Sequence, residues 1–257
     1  MNDLQTFLTT GVFSFMLAFV RVGTVVMMMP GIGNTFVSPQ VRLYFALAFA
    51  FVIFPLIQAS LPPTVPAGAQ MVLLIGIEFV IGFFIGTIAR TLMSALDTAG
   101  FMISTQSSLA NAQLFNPQFA TQGSVIGAFI TLVAVMLLFA TDLYHLLILG
   151  VVNSYQIFPI GQVPDVTSMT ELLIATTAAA FAIGIQITAP FILIILLLYI
   201  GMAVLSKLMP QMQVFMIAMP LQIMLALIMF ALIGSSMMLI WLAEYEKGMT
   251  FFLKTGE

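Results

Sequence analysis

Six long apolar runs, separated by short polar or proline-rich segments, account for most of this 257-residue chain. A helix needs about 20 apolar residues to cross the hydrocarbon core of a bilayer. Most of the runs reach that length, although the second lies at the lower limit. The runs are Gly11–Met29, Leu43–Ala59, Met71–Ala89, Gly123–Leu149, Leu172–Leu205 and Val214–Ala243. The sequence therefore predicts an all-α, polytopic membrane-type protein with about six hydrophobic segments.

Charge is too scarce for a water-facing surface of ordinary size. Only 6% of the residues are charged and 62% are hydrophobic, whereas a soluble domain carries about 25% charged residues and about 45–50% apolar ones. The outer surface must therefore face lipid or equally apolar protein. The six basic residues are scattered, which argues against nucleic-acid binding. Since the chain has no cysteine and one histidine, we expect no metal site, and we find no catalytic or cofactor-binding motif.

Local signals predict where several helices begin or break. Ser38 can cap the second helix, with Pro39 at its first position. The Ser-x-x-Glu pattern of Ser168 and Glu171 fits a capping box that opens the fifth helix. Pro190 should kink or break that helix, because proline removes a backbone donor and clashes with the preceding turn.

Ionisable residues inside or beside the apolar runs each need a partner, water or an interface. A charge at the bilayer centre costs about 2.5–3.5 kcal/mol on insertion scales. Arg21, near the middle of the first run, most strongly suggests a partner protein. Glu78 and Arg90 lie roughly 18 Å apart along a continuous helix, so each must meet a different helix or an interface. The intramembrane or interface set comprises Arg21, Glu78, Arg90, Asp142, His145 and Lys207.

Asp142 and His145 are three residues apart, which would place them on one helix face. They could form a proton relay of an ion-coupled transporter, or a buried polar pair that fixes helix register or contacts a partner. A transporter would normally show two related halves, and we find no convincing internal repeat. The sequence favours the structural interpretation.

The segment from Ser104 to Gln122 is polar but carries no charge. It could line or close a pore, or be a polar connector; long loops in compact helical proteins tend to be functional. Its candidate pore-loop residues are Gln106, Ser107, Ser108, Leu109, Ala110, Asn111, Leu114, Phe115, Asn116, Pro117 and Phe119.

Methionine and glycine mark candidate packing surfaces. Met209, Met212, Met216 and Met219 follow helical spacing and could form a compliant seal, since methionine re-packs around changing shapes. Ordinary packing against lipid or neighbouring helices is the favoured interpretation. Small residues permit close helix approach, and those inside the third run are Gly76, Gly82 and Gly86.

The chain resembles the FliR family of flagellar biosynthesis proteins, which has relatives in virulence type III secretion. The features that carry the resemblance occur in order along nearly the whole chain. They are Arg21-Val22-Gly23 with Met29-Pro30, Glu78 with Gly82 and Gly86, Gln106 through Ala110, Asn116-Pro117, and Pro210-Gln211-Met212-Gln213-Val214-Phe215 followed by Pro220-Leu221. The chain departs from the usual family pattern at Ser107, Gln213, Ala218 or Met219, and Gln222.

This resemblance implies a single export-gate domain over residues 1–257, without enzymatic activity or cofactor. It implies FliP-like and FliQ-like partner subunits, other export-apparatus membrane proteins, and unfolded export substrates. The central loop would help to plug the channel. The protein would lie in the bacterial inner membrane at the flagellar basal body, with its core raised towards the periplasm. The alternative is a proton-coupled secondary transporter using Asp142 and His145.

Overall fold

The computed structural model describes residues 2–34, 37–57, 65–66, 68–111, 124–209 and 214–253, and these residues contain helices and no strands. The prediction of an all-α protein is confirmed. Short 3-10 turns cover Leu109–Asn111 and Thr250–Leu253. The α-helices are α1 Asn2–Met28, α2 Pro39–Ile57, α3 Ala69–Gln106, α4 Val125–Ala140, α5 Tyr144–Ile157, α6 Val166–Leu208 and α7 Val214–Met249.

Among the described residues, five helices are long and apolar enough to cross a membrane: α1, α2, α3, α6 and α7. Helices α4 and α5 together meet the same criterion, but the chain bends by 74° between them. Counting this bent pair as one span gives six, as the apolar runs predicted.

The helix boundaries differ from those predicted at several places, of which three bear on the argument. Helix α3 continues past Arg90 to Gln106, because single charges interrupt the hydropathy but not the helical hydrogen bonding. Helix α6 runs through Pro190 without a break, so of the two predicted alternatives the break is wrong, and the kink stays a prediction. It also begins at Val166, where Asp165 accepts hydrogen bonds from the Thr167 backbone and the Ser168 hydroxyl. Asp165, rather than Ser168, is the cap of this helix.

The predicted start of α2 is confirmed. The helix begins at Pro39, and the Ser38 hydroxyl accepts a hydrogen bond of 3.4 Å from the backbone N–H of Val41. Proline at the first position needs no N–H partner, and a serine cap satisfies one of the free amides of the first turn.

The chain divides into two compact units. The first comprises Met1–Leu92, Phe139–Thr176 and Tyr245–Glu257. Within it, the Phe15 ring contacts Phe51 and Phe54 edge-on, which packs α1 against α2. At Gly150 an added Cβ would lie 3.3 Å from the Cβ of Phe252, so α5 packs closely against the second 3-10 turn.

The second unit comprises Met93–Leu138 and Thr177–Glu244. Within it, a Cβ at Gly184 would lie 3.1 Å from the carbonyl oxygen of Ala95, so α6 and α3 approach closely there. The rings of Phe129 on α4 and Phe230 on α7 meet edge-on at 5.9 Å between centroids. The prediction of a single domain over residues 1–257 stays a prediction.

Candidate functional site: a buried charge centre and the base of the central loop

A fully buried ion pair joins α1 to α3 in the first unit. Arg21 Nε donates to Glu78 Oε2 at 2.6 Å, and Nη2 donates to Oε1 at 3.0 Å. Neither side chain is exposed. Because a buried charge without a partner is strongly unfavourable, these two residues depend on one another. The expectation that Arg21 would need a partner protein is wrong: its partner lies in the same chain.

Helix α5 and the residue that follows it complete the coordination of Arg21. Nη1 donates to the carbonyl oxygen and the hydroxyl of Ser154 at 3.1 and 3.3 Å, and Nη2 donates to the carbonyl oxygen of Phe158 at 3.0 Å. The guanidinium also lies 4.0 Å from the centre of the Tyr155 ring, a cation–π contact. An arginine has five N–H donors, and Arg21 makes five hydrogen bonds, so its bonding capacity is used completely. This arrangement holds α1, α3 and α5 in one register and leaves no donor for chemistry.

Two glycines allow α3 to approach α1 at the charge centre. A Cβ at Gly82 would lie 2.5 Å from the carbonyl oxygen of Arg21, and one at Gly86 would lie 2.7 Å from the Cβ of Met28. At Gly76 nothing lies within 4 Å of an added Cβ. Close packing is therefore a property of Gly82 and Gly86 and not of Gly76.

Asp142 and His145 do not share a helix face. Asp142 lies in the turn between α4 and α5 with a positive φ of 58°, and α5 begins after it at Tyr144. The His145 Nδ1 lies 3.1 Å from the Asp142 backbone oxygen and 3.9 Å from its carboxylate. The His145 side chain is 55% exposed and that of Asp142 is 77% exposed. The prediction of a buried pair on one helix is therefore wrong, because the chain bends at Asp142.

The central loop leaves α3 through a strained residue. Ser107 is buried, and its hydroxyl donates to the Ser104 carbonyl at 3.2 Å. Ser108 has a φ of 60°, a left-handed conformation that is uncommon for residues other than glycine. Its hydroxyl donates to the side-chain oxygen of Gln222 on α7. The base of the loop is thereby fixed to α7, within the second unit.

The two helices that carry the loop are also bonded to each other. The Ser124 hydroxyl donates to the Gly100 carbonyl at 2.8 Å and accepts from the Gly127 backbone N–H at 3.0 Å. A Cβ at Gly100 would collide with the backbone of Gly127. Further along, Thr131 donates to the Asp97 carboxylate at 2.8 Å. The start and the end of the loop are therefore held together by α3 and α4.

The structure places the remaining candidates only in part. Residues 106–111 form the end of α3, a turn and the first 3-10 turn, whereas Leu114, Phe115, Asn116, Pro117 and Phe119 lie outside the described residues.

Met212 and the side chain of Met216 also lie outside the described part of the chain. Met209, just after α6, is exposed, and Met219 is half-buried in α7. The side chains of Arg90 and Lys207 are exposed.

Sequence reasoning missed the partners of Arg21. The one usable signal was that Arg21 and Glu78 carry opposite charges in separate apolar runs, each requiring a partner. Nothing in the sequence marked the carbonyl oxygens of Ser154 and Phe158. Within the described residues, no three His, Asp or Glu side chains are grouped so as to hold a metal ion.

Apolar helices of membrane-spanning length, joined through a buried ion pair, define a polytopic helical membrane protein. Residues 12–248 match the family described as "Bacterial export proteins, family 1", and the chain belongs to this family. The resemblance predicted from the motifs is thereby confirmed.

Several curated proteins are similar over most of their length. The chain is 35% identical to the flagellar biosynthetic protein FliR of Caulobacter vibrioides, over 92% of this chain and 94% of that protein. It is 29% identical to the FliR of Aquifex aeolicus, over 85% and 84% of the two chains. It is 26% identical to the Yop proteins translocation protein T of Yersinia pestis, over 74% of each chain. The protein is accordingly a membrane component of the flagellar and type III export class, in a family of structural rather than known enzymatic components.

Proposed function

We propose that the chain is a pore-building structural subunit of a bacterial protein-export gate. It assembles with FliP-like and FliQ-like subunits, contacts other membrane proteins of the apparatus, and passes unfolded substrates. The whole chain acts as one gate subunit. The observation that carries the proposal is the length of apolar helix that remains uncovered within the chain itself.

Helix α6 is longer than a bilayer requires. Its 43 residues correspond to about 64 Å at about 1.5 Å per residue, whereas the hydrocarbon core is about 30 Å thick. Even a tilt of about 40° lengthens the path only to roughly 39 Å, or about 26 residues. About 17 residues of α6 must then lie outside the hydrocarbon.

Those outlying residues mix polar side chains, such as Glu171 and Lys207, with large apolar ones. Large apolar side chains are exposed at both ends of α6, at Val166 and Ile174 near its start and at Leu205 and Leu208 near its end. An exposed apolar surface outside the hydrocarbon calls for protein to cover it. Neighbouring gate subunits provide such a cover. This supports an assembly whose core is raised from the inner membrane towards the periplasm.

The central loop, residues 106–119, is proposed to plug the channel. Its uncharged amides and hydroxyls can hydrogen-bond to varied surfaces without selecting one sign of charge. The bonds of Ser108 to α7 and of Ser124 to α3 fix both ends of the loop, which supports a plug attached to a rigid base. The set Met209, Met212, Met216 and Met219 is proposed as a compliant seal or subunit-packing surface, and Arg90 and Lys207 as contacts to other subunits.

Two variants of the loop test the plug. In one, residues 109–119 are deleted. In the other, they are replaced by a Gly/Ser segment of equal length, which keeps the length of the loop but removes its native side chains. Both are co-expressed with FliP-like and FliQ-like partners, and native mass spectrometry reports assembly. We expect both variants to assemble and to admit ions across the membrane, measured as a loss of potential in vesicles.

The outcomes separate assembly from plugging. An assembled complex that stays tight to ions with both variants contradicts the plug. A wild-type chain that purifies alone, despite well-expressed partners, contradicts the gate subunit itself. A same-length Gly/Ser replacement of residues 160–164, between α5 and α6, is the matched control and should leave the membrane tight.

A further inference from the structure

Helix α2 has the dimensions and surface of a lipid-facing span. Its 19 residues correspond to about 28 Å at about 1.5 Å per residue, close to the hydrocarbon thickness of about 30 Å. One side packs through the small or buried residues Ala46, Ala50, Ile53 and Ile57. Its exposed large apolar side chains are Val41, Leu43, Tyr44, Phe45, Leu47, Phe51, Val52 and Leu56. A lipid-facing span of this length would have its first turn at the level of the lipid headgroups.

Arg42 lies in that first turn and is held in position by the preceding turn of the chain. Its Nε and Nη2 donate to the Val37 carbonyl at 3.0 and 2.8 Å, and Nη1 donates to the Gly33 carbonyl at 3.3 Å. The turn itself is tight, because a Cβ at Gly33 would lie 2.6 Å from the Met27 carbonyl oxygen. The guanidinium is therefore pre-positioned by backbone atoms that carry no net charge.

No described carboxylate neutralises Arg42. The hydrogen bonds that hold Arg42 run to backbone carbonyl oxygens and not to a carboxylate. The internal segments outside the described residues contain no Asp or Glu. Three of the five N–H donors of Arg42 are bonded, so one hydrogen on each Nη remains for an anion. Arg21 makes five hydrogen bonds, two of them to a carboxylate, and so differs in both respects.

We propose that Arg42 binds the phosphate of an anionic membrane phospholipid at the start of α2. A guanidinium presents paired donors that match phosphate oxygens. A tyrosine suits the headgroup level because its ring is apolar and its hydroxyl is polar; the Tyr44 side chain is 71% exposed. The apolar surface of α2 then lies along the acyl chains of the same lipid. The site anchors this end of the helix to the membrane surface.

The full chain in nanodiscs containing phosphatidylcholine and phosphatidylglycerol tests the site. After transfer to detergent, native mass spectrometry measures how much phosphatidylglycerol remains bound. Arg42→Gln should lower this retention about fivefold, equivalent to about 1 kcal/mol for one basic residue at the membrane surface. Lys207→Gln, which removes an exposed positive charge from the last turn of α6, should leave it unchanged. Equal loss in the two variants overturns the proposal.

Two further measurements keep the test decisive if Arg42→Gln folds poorly. Arg42→Lys keeps the positive charge but loses the guanidinium hydrogen bonds to the Val37 and Gly33 carbonyls. It should retain more phosphatidylglycerol than Arg42→Gln. Equal loss in the two variants would assign Arg42 a purely structural role. On the wild-type chain, diacylglycerol, which lacks the phosphate, should be retained less than phosphatidylglycerol. Equal retention, or displacement of the lipid by inorganic phosphate at the same concentration, overturns the assignment to a lipid phosphate.

Discussion

Replacing Arg21 with methionine should be among the most destabilising single changes in the chain. The substitution introduces an unbranched apolar side chain of similar length but removes all five hydrogen bonds of the guanidinium. Glu78 is left as a fully buried carboxylate without its cation, and the Phe158 carbonyl loses its donor. Removing one partner of a buried ion pair costs about 3–5 kcal/mol. Replacing both partners with apolar residues of similar size is often neutral or stabilising, by about 1–4 kcal/mol.

A double-mutant cycle measures this coupling. The wild type, Arg21→Met, Glu78→Met and the double variant are purified in mild detergent. Their free energies of unfolding are then compared in a denaturant titration followed by far-ultraviolet circular dichroism. Each single variant should lose about 3–5 kcal/mol, and the double variant should recover most of that loss. Arg90→Met, which removes an exposed charge from the same helix α3, should change the free energy by less than about 0.5 kcal/mol.

The cycle also has an outcome that refutes the reasoning. If the double variant loses the sum of the two single losses, then Arg21 and Glu78 are not energetically coupled. The close contact of their side chains would then be a consequence of helix packing rather than its cause. Single variants that are as stable as the wild type would refute the magnitude directly.

Two further predictions concern helix packing and capping. Gly82→Ala should destabilise the chain by about 1–3 kcal/mol, because the new Cβ would collide with the backbone of α1; Gly76→Ala, on the same helix with open space around it, should be neutral or stabilising by about 0.5–1 kcal/mol in the same titration. Hydrogen bonds from the hydroxyl of Ser168 and the backbone of Thr167 lower the pKa of Asp165 in the folded chain. The ionised carboxylate therefore stabilises the folded chain at pH values above the pKa that Asp165 has in the unfolded chain. This contribution is lost as the pH falls through the pKa of the folded chain. The stability difference between the wild type and Asp165→Ala should therefore narrow at acidic pH, and a difference that is independent of pH would contradict the role of the charged cap.

The apolar runs were sufficient to predict an all-helical membrane protein, because hydropathy over about 20 residues depends on composition alone. They were insufficient for helix ends. Arg90 interrupts an apolar run, but arginine is a good helix former, so α3 continues through it. In contrast, the fourth run is almost uniformly apolar, yet it breaks at Asp142, where the backbone adopts a positive φ. Aspartate tolerates this conformation better than most residues, but tolerance alone does not predict a bend.

For the charge centre, the sequence predicted that charged residues in the apolar runs need partners, but not which residues those partners are. The sequence showed that Arg21 and Glu78 each needed a partner, but their separation of 57 residues gave no local geometry to pair them. Gly82 and Gly76 are both glycines of α3, yet of these two only Gly82 lies against α1. Such distinctions depend on how helices are placed in space, which residue spacing along one helix cannot specify.

The wide separation of the partners of Arg21 has a consequence for biogenesis. Glu78 follows Arg21 by 57 residues and Ser154 follows it by 133. At about 5–20 residues per second, Glu78 is synthesised roughly 3–11 s after Arg21, and Ser154 roughly 7–27 s after it. During that interval the first helix carries an unneutralised guanidinium, which costs about 2.5–3.5 kcal/mol at the centre of a bilayer. Stable entry of the first helix into the membrane is therefore tied to translation of segments that emerge from the ribosome much later.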